Sequence, residues 1–100
     1  MENNLKNMIP PRIVAVKGST PKSLTLRYSN NELVEVDFLL LLDRAKNASS
    51  GMLADFRQEG YLATATVTPY GALAWPNGYD ACPDALYLRG RLIFDNTEAA

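Results

Sequence analysis

The sequence predicts an α+β fold, with a small antiparallel sheet of about five strands and one or two short helices packed on one face. Two observations predict it. Residues 12–17, 23–28 and 33–38 are rich in β-branched residues or alternate between apolar and polar side chains, and Gly, Pro and Asn turns separate them. Residues 83–89 begin with proline and precede Gly90, which is typical of a short helix.

Length and composition indicate one domain. One hundred residues suffice for a single modest core, and 47% hydrophobic with 21% charged residues is ordinary for a globular domain. We expect a flexible lead-in over residues 1–10, a single α+β domain over 11–94 and a frayed C-terminus over 95–100. A net charge of -1 supplies no overall field that would attract nucleic acid or an anionic membrane.

Two conflicting patterns leave the register of the third strand open. A two-residue Asn30-Asn31 loop would set Leu33 opposite Tyr28 on the core face. The alternation of apolar side chains favours the other parity, with a core set of Val34, Val36 and Phe38. A one-residue slip exchanges the two faces of a strand, so a β-bulge near residues 34–35 would reconcile the patterns.

Residues 39–59 carry shorter signals. Residues 39–42 are four leucines, which either continue the strand or begin a short helix, and which exceed what one small core can hide. Residues 52–59 fit a two-turn helix that ends at Gly60. The apolar residues that this helix would turn inward are Met52, Leu53 and Phe56.

Two further strands and the last helix complete the predicted fold. Residues 61–69 alternate, with one face formed by Ala63, Ala65 and Val67. The chain turns at Tyr70-Gly71, returns over residues 72–75 and turns again at Asn77-Gly78. The last helix would turn Leu86 and Tyr87 toward the core, with Leu88 as a third candidate for that face.

Residues that carry most enzyme chemistry are scarce. The chain contains no histidine, which removes the commonest general base, the Ser-His and Cys-His pairs and almost every zinc site. Cys82 is the single cysteine, so no internal disulfide can form and a reducing compartment is favoured. No glycine-rich phosphate loop is present, and no spacing of carboxylates singles out an acid–base pair. We therefore expect no enzyme activity, no cofactor and no metal.

The segment of residues 75–87 combines a strand end, a tight turn and a helix start. Trp75 either fills the gap between the sheet and the last helix, or lines a small-ligand or enzymatic pocket with Tyr79, Asp80 and Tyr87. The first interpretation is favoured, because so small a domain needs its few large aromatic residues in the core. The candidate interaction or structural residues of this segment are Trp75, Asn77, Gly78, Asp80 and Tyr87.

Nucleic-acid binding is a third possibility. Arg89 and Arg91 lie close in sequence, and together with the strand face that carries Arg27 they could contact a nucleic acid. A solvated helix end accounts better for the arginine pair, so this function is not expected.

Three segments carry a family resemblance. Residues 11–16 (Pro-Arg-Ile-Val-Ala-Val), residues 32–38 (Glu-Leu-Val-Glu-Val-Asp-Phe) and the segment of residues 75–87 resemble the bacterial family called domain of unknown function 2442. The match runs from about Pro11 to Leu88, and the Trp-Pro-Asn-Gly string is its most specific part. The resemblance implies a small α+β domain without an assigned enzymatic activity. It also implies interaction or regulation, because family members occur alone, beside partner genes resembling toxin–antitoxin pairs, or joined to a helix-turn-helix domain.

The chain departs from the family pattern at several positions. Family hairpins usually carry Asn-Gly or Asp-Gly where this chain has Asn30-Asn31, and residues 39–42 are more apolar than the usual Ser-Pro-Leu-Leu. Residues 89–94 extend past the usual end of the family, and no helix-turn-helix segment is present in the sequence. The resemblance supplies no catalytic residue.

We expect a non-catalytic cytoplasmic module that binds a protein partner, a second copy of itself, or both. One role expected for such a module is that of the protein-neutralising or regulatory member of a gene pair. A small domain gains stability from a partner, and exposed strand edges allow strand addition. Neither a signal peptide nor a membrane span is expected, because the longest apolar run covers only residues 38–42.

Overall fold

Two antiparallel sheets and three short helices make up the part of the chain that the structure describes, a computed structural model of residues 11–93. The larger sheet has the order β1-β2-β3-β7, formed by Ile13–Ser19, Ser23–Tyr28, Leu33–Asp37 and Arg91–Ile93. The smaller sheet has the order β4-β5-β6, formed by Thr66–Val67, Leu73–Ala74 and Asp80–Ala81. The helices are α1 (Leu39–Lys46), α2 (Met52–Asp55) and α3 (Pro83–Arg89), and a 3₁₀ turn spans Leu62–Thr64.

The α+β class and the antiparallel pairing are confirmed, but the predicted counts differ from the structure. About five strands in one sheet were expected, whereas the described residues form seven strands in two sheets and one helix more than the two allowed for. The expected flexible lead-in, the frayed end and residue 94 of the expected domain lie outside the described residues. None of the helices within residues 11–93 has the length and apolar character needed to cross a membrane.

The hairpin between β2 and β3 is closed by three residues, Ser29, Asn30 and Asn31, and not by the expected two. Its register is regular, with Leu26 opposite Val34 and Arg27 opposite Leu33. The conflict between the two sequence patterns therefore disappears, because the extra loop residue places the alternating valines in the core. The predicted bulge near residues 34–35 is wrong, and the register shifts lie in the pairing of β1 with β2.

Three hairpin loops of the chain share one backbone design, and we call them loop A (residues 29–31), loop B (69–71) and loop C (76–78). In each, the residue before the loop donates its N–H to the carbonyl of the residue after it, at 2.8–2.9 Å. The third residue of each loop has a positive φ, and these residues are Asn31 (72°), Gly71 (85°) and Gly78 (94°). This is the three-residue turn whose last residue is left-handed, a conformation that glycine and asparagine tolerate best.

The four leucines begin α1, so the helical alternative is the one adopted. The Asp37 carboxylate accepts the N–H of Leu39 at 3.2 Å, which satisfies one of the free amides at the start of the helix. Two residues of the last turn, Arg44 and Lys46, are basic, which suits the negative end of the helix dipole. Ala45 is the buried residue of this helix, whereas Leu39 and Leu40 stay on the surface.

The region of residues 52–67 is less regular than its sequence pattern predicts. The predicted helix over residues 52–59 shortens to α2, with Phe56 buried and Met52 exposed, so the inward orientation predicted for Met52 is wrong. The strand predicted over residues 61–69 becomes a 3₁₀ turn followed by two strand residues, and Ala63 is exposed. Period-two spacing of small residues was too weak a signal there, because Ala and Thr add little apolar area to hold a strand against the core.

The core lies between the inner face of the larger sheet and the helices. Its sheet side consists of alternate side chains of β2 and β3, including Leu24, Leu26, Tyr28, Val34 and Val36. Gly90 ends α3 directly above β3, where an added Cβ would lie 2.2 Å from a methyl group of Val34. The absence of a side chain at Gly90 lets the C-terminal end of α3 approach the sheet.

Candidate functional site

Trp75 is a core residue. Only 3% of its surface is exposed, and its indole Nε1 donates to the carbonyl oxygen of Leu62 at 3.0 Å. Its ring meets those of Phe38, Phe56 and Tyr79 with centroids 5.3–6.0 Å apart. We call Phe38, Phe56, Tyr61, Trp75 and Tyr79 the Trp75 cluster. These aromatic rings pack on one another, so Trp75 is part of the core. The contacts described for its ring are with Phe38, Phe56 and Tyr79, none of which lies on α3, so the expected position between the sheet and the last helix is not shown.

Asn77 ties loop C to α2. Its side-chain amide donates to the carbonyl of Met52 at 3.0 Å and to a carboxylate oxygen of Asp55 at 2.9 Å. Its side-chain oxygen accepts the N–H of Tyr79 at 2.9 Å, and its own N–H donates to the hydroxyl of Tyr61 at 3.0 Å. The hydrogen bonds of Asn77 pair both its backbone N–H and its side-chain amide, and such a network holds the loop in one conformation.

The remaining candidate residues of this segment do not converge on a pocket. Tyr79 packs in the Trp75 cluster and Asp80 is exposed on β6, while Tyr87 lies on α3 with its ring 5.0 Å from that of Tyr28. Trp75 and Tyr79 are therefore brought together, but Tyr87 belongs to a different part of the molecule. The predicted pocket of Trp75, Tyr79, Asp80 and Tyr87 is not assembled in the described residues.

An open cleft lies where the C-terminal end of α3 meets the sheet. It has a volume of about 200 Å³, and the residues that line it are Glu32, Val34, Tyr87, Gly90 and Leu92. We call it the α3 cleft. Leu92 is the register partner of Val34, so both side chains point to the inner face and form an apolar floor. Tyr87 was a candidate from the sequence, whereas Glu32 and Leu92 were not.

The polar end of the α3 cleft is a carboxylate held by two donors. The hydroxyl of Tyr87 and the side-chain amide of Asn30 both donate to Oε1 of Glu32, the latter at 2.9 Å. The hydrogen bond to Glu32 is the main reason why the pKa of Tyr87 is raised, because an ionised phenol could no longer donate it. Within residues 11–93 no arginine or lysine pairs with Glu32.

The two edges of the larger sheet differ in how they are covered. At the β1 edge, the N–H of Ile13 donates to the carbonyl of Gly71 at 2.9 Å, so the β4–β5 hairpin tip lies against it. At the β7 edge, no described strand pairs with the outer side of Arg91–Ile93. Leu92 is 52% exposed there although it points to the inner face, because α3 ends before it covers β7. An uncovered edge beside an apolar floor is suited to binding another chain.

Other large apolar side chains are also exposed. Leu39 and Leu40 are 53% and 62% exposed at the start of α1, as expected from four leucines in a row, and Leu88 is exposed on α3. Exposed apolar residues beside one another favour association.

The three arginines considered for nucleic-acid binding make contacts within the protein. Arg89 donates to the carbonyl of Asp37 at 3.1 Å and lies over the ring of Phe38, whereas Arg91 pairs with Glu35 across the strands. Arg27 donates to the carbonyl of Asn31 at 2.9 Å. Each of these arginines thus has a partner within the described residues.

Within residues 11–93, no group of three or more His, Cys, Asp or Glu residues is arranged to hold a metal ion. Cys82 is exposed at the residue before α3.

Comparison of the chain with known proteins found no matching family model, no matching curated protein and no matching solved structure. The family resemblance of residues 11–88 stays a prediction. The candidate functional site is therefore defined by the geometry of the α3 cleft and the β7 edge.

Proposed function

We propose that this chain is a non-catalytic protein-interaction module that binds a segment of a partner protein at β7 and the α3 cleft. The single observation that carries the proposal is Leu92, which is half exposed on the uncovered edge strand although its register partner Val34 is in the core. A partner strand added beside β7 would cover Leu92 and complete the inner face of the sheet.

The proposed role agrees with the chemistry of the site. A module of this kind recognises its partner by main-chain hydrogen bonds along the edge and by side chains that enter an adjoining cleft. The proposal places the module in the cytoplasm, since its single cysteine suits a reducing compartment. We further propose that it belongs to the family of domain of unknown function 2442 and acts as the regulatory or neutralising member of a gene pair.

The test compares two glutamate substitutions at exposed apolar residues on the two edge strands. Leu92→Glu charges the β7 edge, whereas Val14→Glu changes a side chain on β1 that is equally exposed, at 54% against 52%. Tagged wild-type protein and both variants are used to capture partners from the native lysate, with quantification by mass spectrometry. We expect one stoichiometric partner with the wild type and with Val14→Glu, and its loss with Leu92→Glu.

Light scattering on the purified proteins tells whether a second copy is that partner. A wild-type dimer that Leu92→Glu converts to a monomer assigns the surface to self-association, as expected for a homodimer. Retention of the captured partner by Leu92→Glu would overturn the proposal, and so would a monomeric wild type that captures nothing. Urea denaturation of both variants ensures that a loss of binding is not a loss of folding.

A further inference from the structure

We infer that the α3 cleft is the binding site for an arginine side chain of the partner segment. This inference rests on the proposed function, because it names the residue by which the partner is recognised. The observation behind it is Glu32, a half-buried carboxylate that two neutral donors hold and that no cation pairs within residues 11–93.

The negative charge of the Glu32 carboxylate favours a positively charged ligand in the cleft. The Glu32 carboxylate accepts hydrogen bonds from Tyr87 and Asn30 at Oε1, and no described group donates to Oε2. Glu32, Val34 and Val36 alternate with outward-facing residues, so the carboxylate points to the same face as the apolar floor. A positively charged group that enters the cleft can therefore reach Oε2 without displacing the two existing donors.

The charges on the other face of the sheet do not compete for this site. Glu35 and Arg91 are register partners and pair with each other. Both positions alternate with Val34 and Leu92, so they lie on the outer face. The nearest cationic side chain on β7 is thus directed away from the cleft and neutralised by its own carboxylate.

The remaining walls of the cleft suit arginine better than lysine. Leu92 offers an apolar wall for the three methylenes of the arginine stem, beside the backbone of Gly90 and above the buried Val34. The Tyr87 ring contacts Tyr28 and also lines the cleft. A planar guanidinium can stack on an aromatic ring while it donates to a carboxylate, which a compact ammonium group does less well.

The test is a nuclear magnetic resonance titration of ¹⁵N-labelled protein with two peptides. One is acetyl-Val-Arg-Val-amide and the other is acetyl-Val-citrulline-Val-amide, which has nearly the same shape without the charge. We expect saturable shifts of the cleft amides with the arginine peptide, and affinity about fivefold lower for the citrulline peptide. The amides that report the cleft are Glu32, Val34, Tyr87, Gly90 and Leu92. The preference should weaken as the salt concentration rises.

Two matched variants test whether Glu32 is the carboxylate that binds the arginine side chain. Glu32→Gln keeps an acceptor for Tyr87 but removes the charge, and it should bind both peptides equally. Glu35→Gln removes a carboxylate from the outer face of the same strand and should keep the wild-type preference. Equal binding of the two peptides by the wild type, or shifts located away from the cleft, would overturn the inference.

Partner capture separates the two proposals. If Leu92→Glu loses the partner while Glu32→Gln keeps it at wild-type yield, the arginine site is refuted and the interaction surface stands. If Leu92→Glu also keeps the partner, the proposed function is refuted, whatever the peptides show. Loss of the partner with both variants, but not with Glu35→Gln, supports both.

Discussion

Loops A and C have the same backbone but hold different parts of the molecule. In each, the side chain of the central asparagine accepts the N–H two residues on, at 3.0 Å for Asn30 and 2.9 Å for Asn77. The amide of Asn77 then joins loop C to α2, whereas that of Asn30 reaches only the surface carboxylate of Glu32 and the hydroxyl of Tyr87. One turn design thus joins loop C to α2 and the core, and in loop A it shapes an open cleft.

This difference separates stability from recognition. The segment of residues 75–87 contributes Trp75 and Tyr79 to the Trp75 cluster, in which the Trp75 indole and the Tyr61 hydroxyl are hydrogen-bonded within the protein. Within residues 11–93, no cation pairs with the carboxylate of the α3 cleft and Leu92 stays 52% exposed. Substitutions near loop C should therefore change the free energy of unfolding, and substitutions at the cleft should change binding.

The largest effect is expected at Trp75. Trp75→Ala should lower the free energy of unfolding by about 4 kcal/mol, because it leaves a cavity between three aromatic rings and an unpaired Leu62 carbonyl. Tyr70→Ala removes an aromatic ring that is 80% exposed and should change stability by less than about 0.5 kcal/mol. Urea denaturation measures both. A Trp75→Ala variant as stable as the Tyr70→Ala variant would show that the Trp75 cluster does not stabilise the fold.

Gly90→Ala should cost about 2 kcal/mol, since the new methyl group would meet Val34 and the Leu86 carbonyl, the latter at 2.9 Å. The control is Gly18→Ala, whose Cβ would meet its nearest neighbour, Thr25, at an ordinary 3.8 Å. Thermal unfolding of the two variants should separate them clearly. Equal stability would mean that α3 does not need its close approach to β3.

The two central asparagines provide a direct comparison of the loops. Both asparagines make three side-chain hydrogen bonds, one of them to a carboxylate, but two of those of Asn77 are partly buried whereas those of Asn30 are exposed. Asn77→Ala should therefore cost about 2 kcal/mol and Asn30→Ala about 0.5 kcal/mol. Chemical denaturation measures the free energy of unfolding of both variants. If the two costs were the same, the loops would not differ in the way described.

A smaller effect concerns the left-handed third residue of each loop. Gly78→Ala should destabilise the protein by about 1 kcal/mol, because alanine is strained at a φ of 94°. Asn31→Gly should stabilise it by a few tenths of a kcal/mol, since asparagine already tolerates its φ of 72°. A destabilised Asn31→Gly variant, measured by urea midpoint, would show that the asparagine side chain has a role of its own.

The smallest effect is the pH dependence of two tyrosines. Burial raises the pKa of Tyr28 well above its usual value of 10.0, and the hydrogen bond to Glu32 raises that of Tyr87. A raised pKa means that the folded protein holds the phenol proton more tightly, so this stabilisation is complete below about pH 10 and is lost at higher pH. Ultraviolet titration should show that Glu32→Gln lowers the pKa of Tyr87 and leaves Tyr28 unchanged. An unchanged pKa of Tyr87 in the Glu32→Gln variant would show that the hydrogen bond between Tyr87 and Glu32 does not persist in solution.

Elements with strong local signals were predictable from the sequence. Alternating large apolar residues identified β2 over Ser23–Tyr28, and proline followed by Gly90 identified α3. The length of loop A was missed, because two- and three-residue hairpins have similar composition and Asn31 can adopt a positive φ in either. The helical start of α1 depends on Asp37 and on tertiary packing, which four consecutive leucines do not encode.

The α3 cleft could not be predicted in the same way, because it is assembled from three separate segments. Tyr87 was singled out for its place in an aromatic-rich string, but its partner Glu32 is 55 residues away in sequence. The signal for Leu92 was an apolar residue in a short run after a helix-ending glycine, and nothing local shows that β7 pairs with β3. Long-range pairing of short strands is set by the whole core and not by their own residues.

The central claim is that the loop C end holds the fold together while the β7 edge stays available to a partner. Native-state hydrogen exchange of the free protein tests it most directly, through the Trp75 amide and the slowest amide of Arg91–Ile93. We predict that the Trp75 amide exchanges only with global unfolding, and that β7 opens with a free energy lower by at least about 2 kcal/mol. Equal protection of the two would contradict the claim, because β7 would then be as firmly held as the core.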